Sequence, residues 1–115
     1  VVVMAPNGVH RNWVINEIPT HMHEAIPHVA AYYAAASKKA EREAWESVFT
    51  SSDKLRWFCF NVESASNKKG QQELEKTIKL GRVLFVIDES HTYSYLFSLS
   101  ILIYSTLPWC IHNYF

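Results

Sequence analysis

The stretch Val83-Leu84-Phe85-Val86-Ile87-Asp88-Glu89-Ser90-His91 constrains the fold more than any other part of the chain. Five apolar residues in succession, mostly β-branched or aromatic, fit a central strand buried on both faces. Gly81, just before them, reads as the stop of a preceding helix. Two carboxylates follow where the strand ends. Ligands of open parallel α/β sheets collect at the carboxyl ends of the strands, so an apolar strand running into Asp-Glu is where a Mg²⁺-nucleotide site is built. Asp88 would hold Mg²⁺ through water and Glu89 would orient an attacking water. The same pattern also arises where carboxylates merely solvate a strand end or cap the next helix. The neighbouring segments decide between the two.

A chain of 115 residues supports one domain or a piece of one. Its 11 Lys and Arg balance 11 Asp and Glu, so there is no global basic field, and any contact with nucleic acid must be local. Cys59, in an apolar run, and Cys110, near the end, make no disulfide framework and suit a reducing cytosolic compartment. No signal peptide opens the chain. It starts with Val1-Val2-Val3, mid-strand in character and without an initiator Met, so the true beginning is expected upstream.

Val1 to Ala5 reads as a buried strand stopped by Pro6-Asn7-Gly8, with Asn7 as N-cap of a helix that runs to about Ile18 and is ended by Pro19. Val9, Trp13, Val14 and Glu17-Ile18 set its inner face, while His10, Arg11 and Asn12 sit in a first turn whose N–H groups could meet a phosphate. Thr20 to His28 is a His-rich connector. His21, His23 and His28 lack the further ligands a metal site needs and read as a solvated loop. His28 to Ala34 is a short strand.

Ser37 to Phe49 is an amphipathic helix with Ala40, Ala44, Trp45, Val48 and Phe49 inward. Leu55 to Val62 is an aromatic-rich strand. Asn61 to Gly70 reads as a polar loop in which Lys68 and Lys69 could each neutralise a backbone phosphate. Gln71 to Leu80 forms the next helix, with Leu74 and Ile78 inward, acids leading and bases trailing. Strands alternating with helices predict an α/β fold with a mainly parallel sheet.

Three segments in this order resemble consecutive motifs of superfamily 2 helicases. Val2-Val3-Met4-Ala5-Pro6-Asn7 with Asn12-Trp13 and Glu17 is similar to motif Ia in the form found in chromatin-remodeller-like and phage-encoded helicases. Asn61-Val62-Glu63-Ser64 resembles motif Ib, and Asp88-Glu89-Ser90-His91 resembles motif II, the Walker B box in its DESH variant. The resemblance spans residues 1–91. It implies a partial RecA-like (P-loop NTPase) three-layer sandwich, ATP and Mg²⁺ as cofactors, nucleic acid, mainly DNA, as partner, and a second RecA-like lobe in the full-length protein.

The resemblance further implies that Asp88 and Glu89 are catalytic, with Asp88 on Mg²⁺, and that Ser90 and His91 couple the nucleotide state to the motor. Pro6, Asn7, Arg11, Asn12, Trp13, Asn61, Val62, Glu63 and Ser64 would lie along the nucleic acid, with Lys68 and Lys69 on its backbone. It places the protein in the cytoplasm of a bacterial or phage-infected cell, or in a eukaryotic nucleus.

Two departures matter. No G-x-x-x-x-G-K-[ST] occurs, so the loop that cradles the phosphates is missing, and the chain alone is expected not to turn over ATP. Residues 92–115 form an uncharged apolar tail, diluted by Ser94, Ser98, Ser100, Ser105 and Thr106 and interrupted by Pro108. A bilayer helix needs ~20 apolar residues and flanking cations to set its topology. The abrupt change of composition favours a shifted reading frame or gene boundary, then a core helix, then an anchor. Two other functions stay open: a tail-anchored membrane protein with an α/β binding head, and a non-catalytic nucleic-acid-binding module.

Overall fold

The computed structural model describes residues 1–88, which form an α/β unit with one four-stranded, all-parallel sheet. Glu89, Ser90, His91 and the apolar tail lie outside the described residues. The chain runs β1 (Val2–Ala5), α1 (Val9–Asn12), a π-helical turn (Trp13–Glu17), α2 (Ile18–His21) and β2 (His28–Tyr32). It continues through α3 (Lys39–Thr50), β3 (Leu55–Asn61), a 3₁₀ turn (Val62–Ser66), α4 (Lys68–Ile78) and β4 (Phe85–Ile87). Each strand is followed by helix before the next begins, which is what lets successive strands run the same way.

Strand order is β2-β3-β1-β4. β1 therefore sits between two neighbours, with Val2 opposite Phe58 on one side and Phe85 on the other. All four of its residues are buried, and they divide by parity, as a strand's side chains must. Val2 and Met4 enter a core with Trp45 and Val48 of α3, Phe58 and Phe60 of β3, and Leu74 and Ile78 of α4. Val3 and Ala5 face Ile18 and the half-buried Val9, Trp13 and Val14 of the helical segment 9–21. Helices thus cover both faces of the sheet, giving three layers. Among the described residues no helix is long and apolar enough to cross a membrane.

Several expectations are corrected. Among the described residues the run 83–87 is not a central strand buried on both faces. Only Phe85–Ile87 pair with β1, at the edge of the described sheet, and Leu84 is 54 % exposed. An unbroken apolar run cannot say how many of its residues find a partner; β1, with the same character, took the central place.

Pro19 does not end the first helix. The Ile18 N–H reaches five residues back to the Trp13 carbonyl, and this wide turn restarts the helix so that Pro19 falls in the opening turn of α2, where its missing N–H costs little. Gly8, at φ +89°, takes the cap position expected of Asn7, whose side chain makes no capping bond.

In α3 the buried residues are Trp45 and Val48, with Phe49 half-buried, while Ala40 and Ala44 are exposed. Lys68 and Lys69 belong to α4 rather than to a loop, because the Asn67 side chain caps that helix by accepting from the Gly70 N–H at 2.7 Å.

Candidate functional site

All four strands point their carboxyl ends to one edge, and the segments after β1 and β3 stand there with Asp88 because the sheet is parallel. Ala5 and Asn61 are direct register partners, as are Met4 and Ile87, so the segments after β1, β3 and β4 emerge side by side. The Asp88 N–H extends the pairing by donating to the Met4 carbonyl at 2.8 Å. The connection leaving β1 packs on one face of the sheet and the one leaving β3 packs on the other. Adjacent strands whose connections part in this way mark the usual ligand position of an open α/β sheet.

Asp88 is half-buried, and its Oδ2 accepts a hydrogen bond from the Trp13 indole Nε1–H at 3.1 Å. That bond joins the first and third motif segments across 75 positions of sequence. The Trp13 ring also stacks on Trp57 of β3, with centroids 6.4 Å apart and planes at 29°. Trp13 is therefore held from two sides and acts as a strut. Beside it, Trp13, Glu17, Ile18, His21, Met22 and Trp57 line a cleft of about 350 Å³.

The loop after β1 is tightly tied. The Pro6 carbonyl accepts from the N–H of Val9 at 3.0 Å and of His10 at 3.3 Å, and the Gly8 N–H donates to His10 Nδ1 at 3.2 Å. The N–H groups of residues 8–10, expected to be free for a phosphate, are thus taken internally. Asn7 is exposed. So is Asn12, whose side-chain oxygen accepts from Asn16 at 2.5 Å. Arg11 lies over the Tyr32 ring, 5.2 Å from its centroid, and the Tyr32 hydroxyl donates to Glu41 at 2.7 Å. The bond to Glu41 raises the Tyr32 hydroxyl above its ordinary value against the opposing pull of Arg11, and the Glu41 carboxyl is lowered, first by the Tyr32 hydroxyl and then by the Lys38 N–H.

The segment after β3 is a self-bonded turn. Ser64 Oγ donates to the Asn61 carbonyl at 2.6 Å, and Asn61 Nδ2 donates to Glu63 at 3.0 Å. Val62 and Ser64 are buried, at 3 % and 2 % exposure, so they hold the turn rather than face outward, whereas Glu63 is exposed. Gly70 is required beneath this turn: a Cβ there would overlap the Ser64 carbonyl and stand 2.8 Å from the Ser64 Cβ. Lys68 and Lys69 are both exposed on the first turn of α4.

Elsewhere, the three histidines of the 20–28 connector spread apart. His21 approaches Glu17 at 3.4 Å, His23 accepts from the Ala25 N–H, and His28 bonds the Ile26 carbonyl. Among the described residues no group of three metal-ligating side chains converges. Cys59 is buried on β3 and burial pushes its thiol up to about 12, so it offers no nucleophile.

The sequence puts His10 in the first helical turn beside a possible phosphate but does not show it as a link between elements. His10 is 3 % exposed and links the β1 loop to the end of β2, where Nε2 lies 3.0 Å from the Tyr33 carbonyl. Its spacing of three and four from Trp13 and Val14 put it on the inner face and was the available signal. Comparison with protein-family models, curated proteins and solved structures finds no match to this chain.

Proposed function

We propose that the chain is part of the first RecA-like lobe of an ATP-dependent superfamily 2 DNA helicase or translocase. The observation that carries this reading is the convergence of the first two motif segments and of Asp88, the first residue of the third, at the carboxyl edge of one parallel sheet, with Trp13 bonded to Asp88. Three signatures scattered over unrelated surfaces would have removed it.

Asp88 suits a Mg²⁺ ion: it is a hard oxygen donor at a strand end, and Mg²⁺ characteristically takes one or two carboxylates and keeps its waters and substrate phosphates. Bound there, the ion would neutralise charge developing on the phosphates of ATP. Trp13 fixes one carboxylate oxygen of Asp88, and Glu89, next in sequence, would orient the water. Ser90 and His91 would link that state to the rest of the motor. The phosphate-cradling lysine loop has no counterpart in this sequence, and the arginine finger would come from a second lobe.

Nucleic acid would run along Pro6, Asn7, Arg11, Asn12 and the Asn61 to Glu63 turn, with Lys68 and Lys69 on its phosphates. Those two lysines support the reading by where they stand. The first turn of a helix disfavours positive charge by roughly 0.3–1 kcal/mol each, and no acid in that turn offsets them. Their exposure at a helix start leaves both ammonium groups accessible to a phosphate backbone.

Binding of a fluorescein-labelled single-stranded DNA, followed by anisotropy across a salt series, tests this. Affinity should fall steeply with salt, and Lys68→Ala with Lys69→Ala should reduce the log–log slope by about 0.7 per lysine. Binding indifferent to salt, or unchanged by the double substitution, would overturn the assignment of this edge to nucleic acid. A non-catalytic nucleic-acid-binding module is the second reading, favoured by the lack of a G-x-x-x-x-G-K-[ST] segment.

A further inference from the structure

We propose that His10 is a positioning residue for the Pro6-Asn7-Gly8 loop: its neutral ring locks Gly8 to the end of β2, and protonation releases the Gly8 N–H. The geometry fixes the tautomer. The Gly8 N–H donates to Nδ1 at 3.2 Å, so Nδ1 carries a lone pair, and the proton sits on Nε2, 3.0 Å from the Tyr33 carbonyl. One imidazole therefore accepts from the loop and donates to the end of the neighbouring crossover. A proton added at Nδ1 would set two donors against each other, so the Gly8 bond would be lost while the Pro6 carbonyl accepts from the protonated ring. Gly8, at φ +89°, is the residue whose backbone this bond restrains.

The surroundings are set for the neutral form. The ring is buried and meets the Tyr32 ring of β2 edge to face, with centroids 6.0 Å apart, Arg11 next to it on α1, and Glu63 facing from the 3₁₀ turn. Burial lowers its affinity for a proton most, and Arg11 adds to this. The carbonyls of Tyr33 and Pro6, and then Glu63, act the other way without reversing it. The ordinary value is 6.5, so the Gly8 N–H stays locked at neutral pH and is released in the acid range below it. The consequence for DNA rests on the proposed function; the lock itself does not.

The test compares the chain with His10→Gln, whose amide can accept from Gly8 and donate to Tyr33 without titrating, and with His10→Phe, which does neither. NMR should show the Nε2–H tautomer near neutral pH. Gly8 amide protection, corrected for intrinsic exchange, should fall about tenfold as His10 titrates, the equivalent of one net hydrogen bond. His10→Gln should keep that protection through the acid range. His10→Phe should lack it throughout, and if that variant does not fold the glutamine comparison still decides. An Nδ1–H tautomer, or protection at Gly8 that ignores the His10 titration, overturns the lock. For single-stranded DNA, acidification should weaken binding by the wild type relative to His10→Gln. Equal responses overturn the link to binding, whereas no binding by either protein at any pH overturns the proposed function and leaves the exchange result to judge the lock.

Discussion

At the scale of single residues, two positions show how far identity alone decides a role. Trp13 resembles any aromatic on an amphipathic helix until its indole N–H is seen on Asp88 and its ring on Trp57. Trp13→Phe keeps a ring for Trp57 and removes the donor. It should cost about 1.5 kcal/mol, the lower end for a bond to a charged group because both residues are only half-buried, measured by urea denaturation. Gly70 makes the opposite point. A helix interior favours alanine over glycine by about 1 kcal/mol, yet the Ser64 carbonyl occupies the space a Cβ needs. Gly70→Ala should therefore destabilise by about 1–3 kcal/mol in the same measurement, and a stabilised variant would show that the 3₁₀ turn yields easily. The sequence marks Gly70 as a loop residue; what it cannot contain is the turn packed against it.

At the scale of elements, type was legible and boundaries were not. Alternating apolar strands and amphipathic helices read correctly because a period of two and a period near 3.6 are properties of the local chain. The ends failed where a third group intervened. Asn67 starts α4 three residues before the first glutamine because its side chain captures the Gly70 N–H, and Lys68 and Lys69 become helical as a result. Asn67→Ala should cost about 1 kcal/mol and fray that first turn. Hydrogen exchange at residues 68–71 reads the fraying directly, and unchanged protection there would assign the start of the helix to packing. Pro19 failed as a boundary for a related reason: a π turn just before it shifted the hydrogen-bond register by one.

At the scale of the molecule, the sheet's direction makes the site. Parallel pairing brings three segments far apart in sequence to one edge, and His10 ties that edge together from within. Stability should carry the mark of that histidine. Its affinity for protons is lower in the folded chain than in the unfolded one, so the unfolded state takes up the proton first and stability rises with pH in that window. Stability from this group is complete above the ordinary value of 6.5 and is lost as pH falls below it toward the lowered folded value. Thermal melts from neutral to mildly acid pH should show the loss in the wild type and a flatter profile in His10→Gln; identical profiles would exclude His10 as the source. The sequence by itself determined the α/β class, the parallel sheet and the segments that meet at its edge, since periodicity, turn residues and the alternation of elements are written locally. Only the tertiary structure decided which strand is central, which helix the lysines join, that Trp13 braces Asp88 and that His10 holds the loop. Those outcomes depend on which distant groups compete for the same space and the same hydrogen bonds, and that competition begins only once the chain has closed on itself.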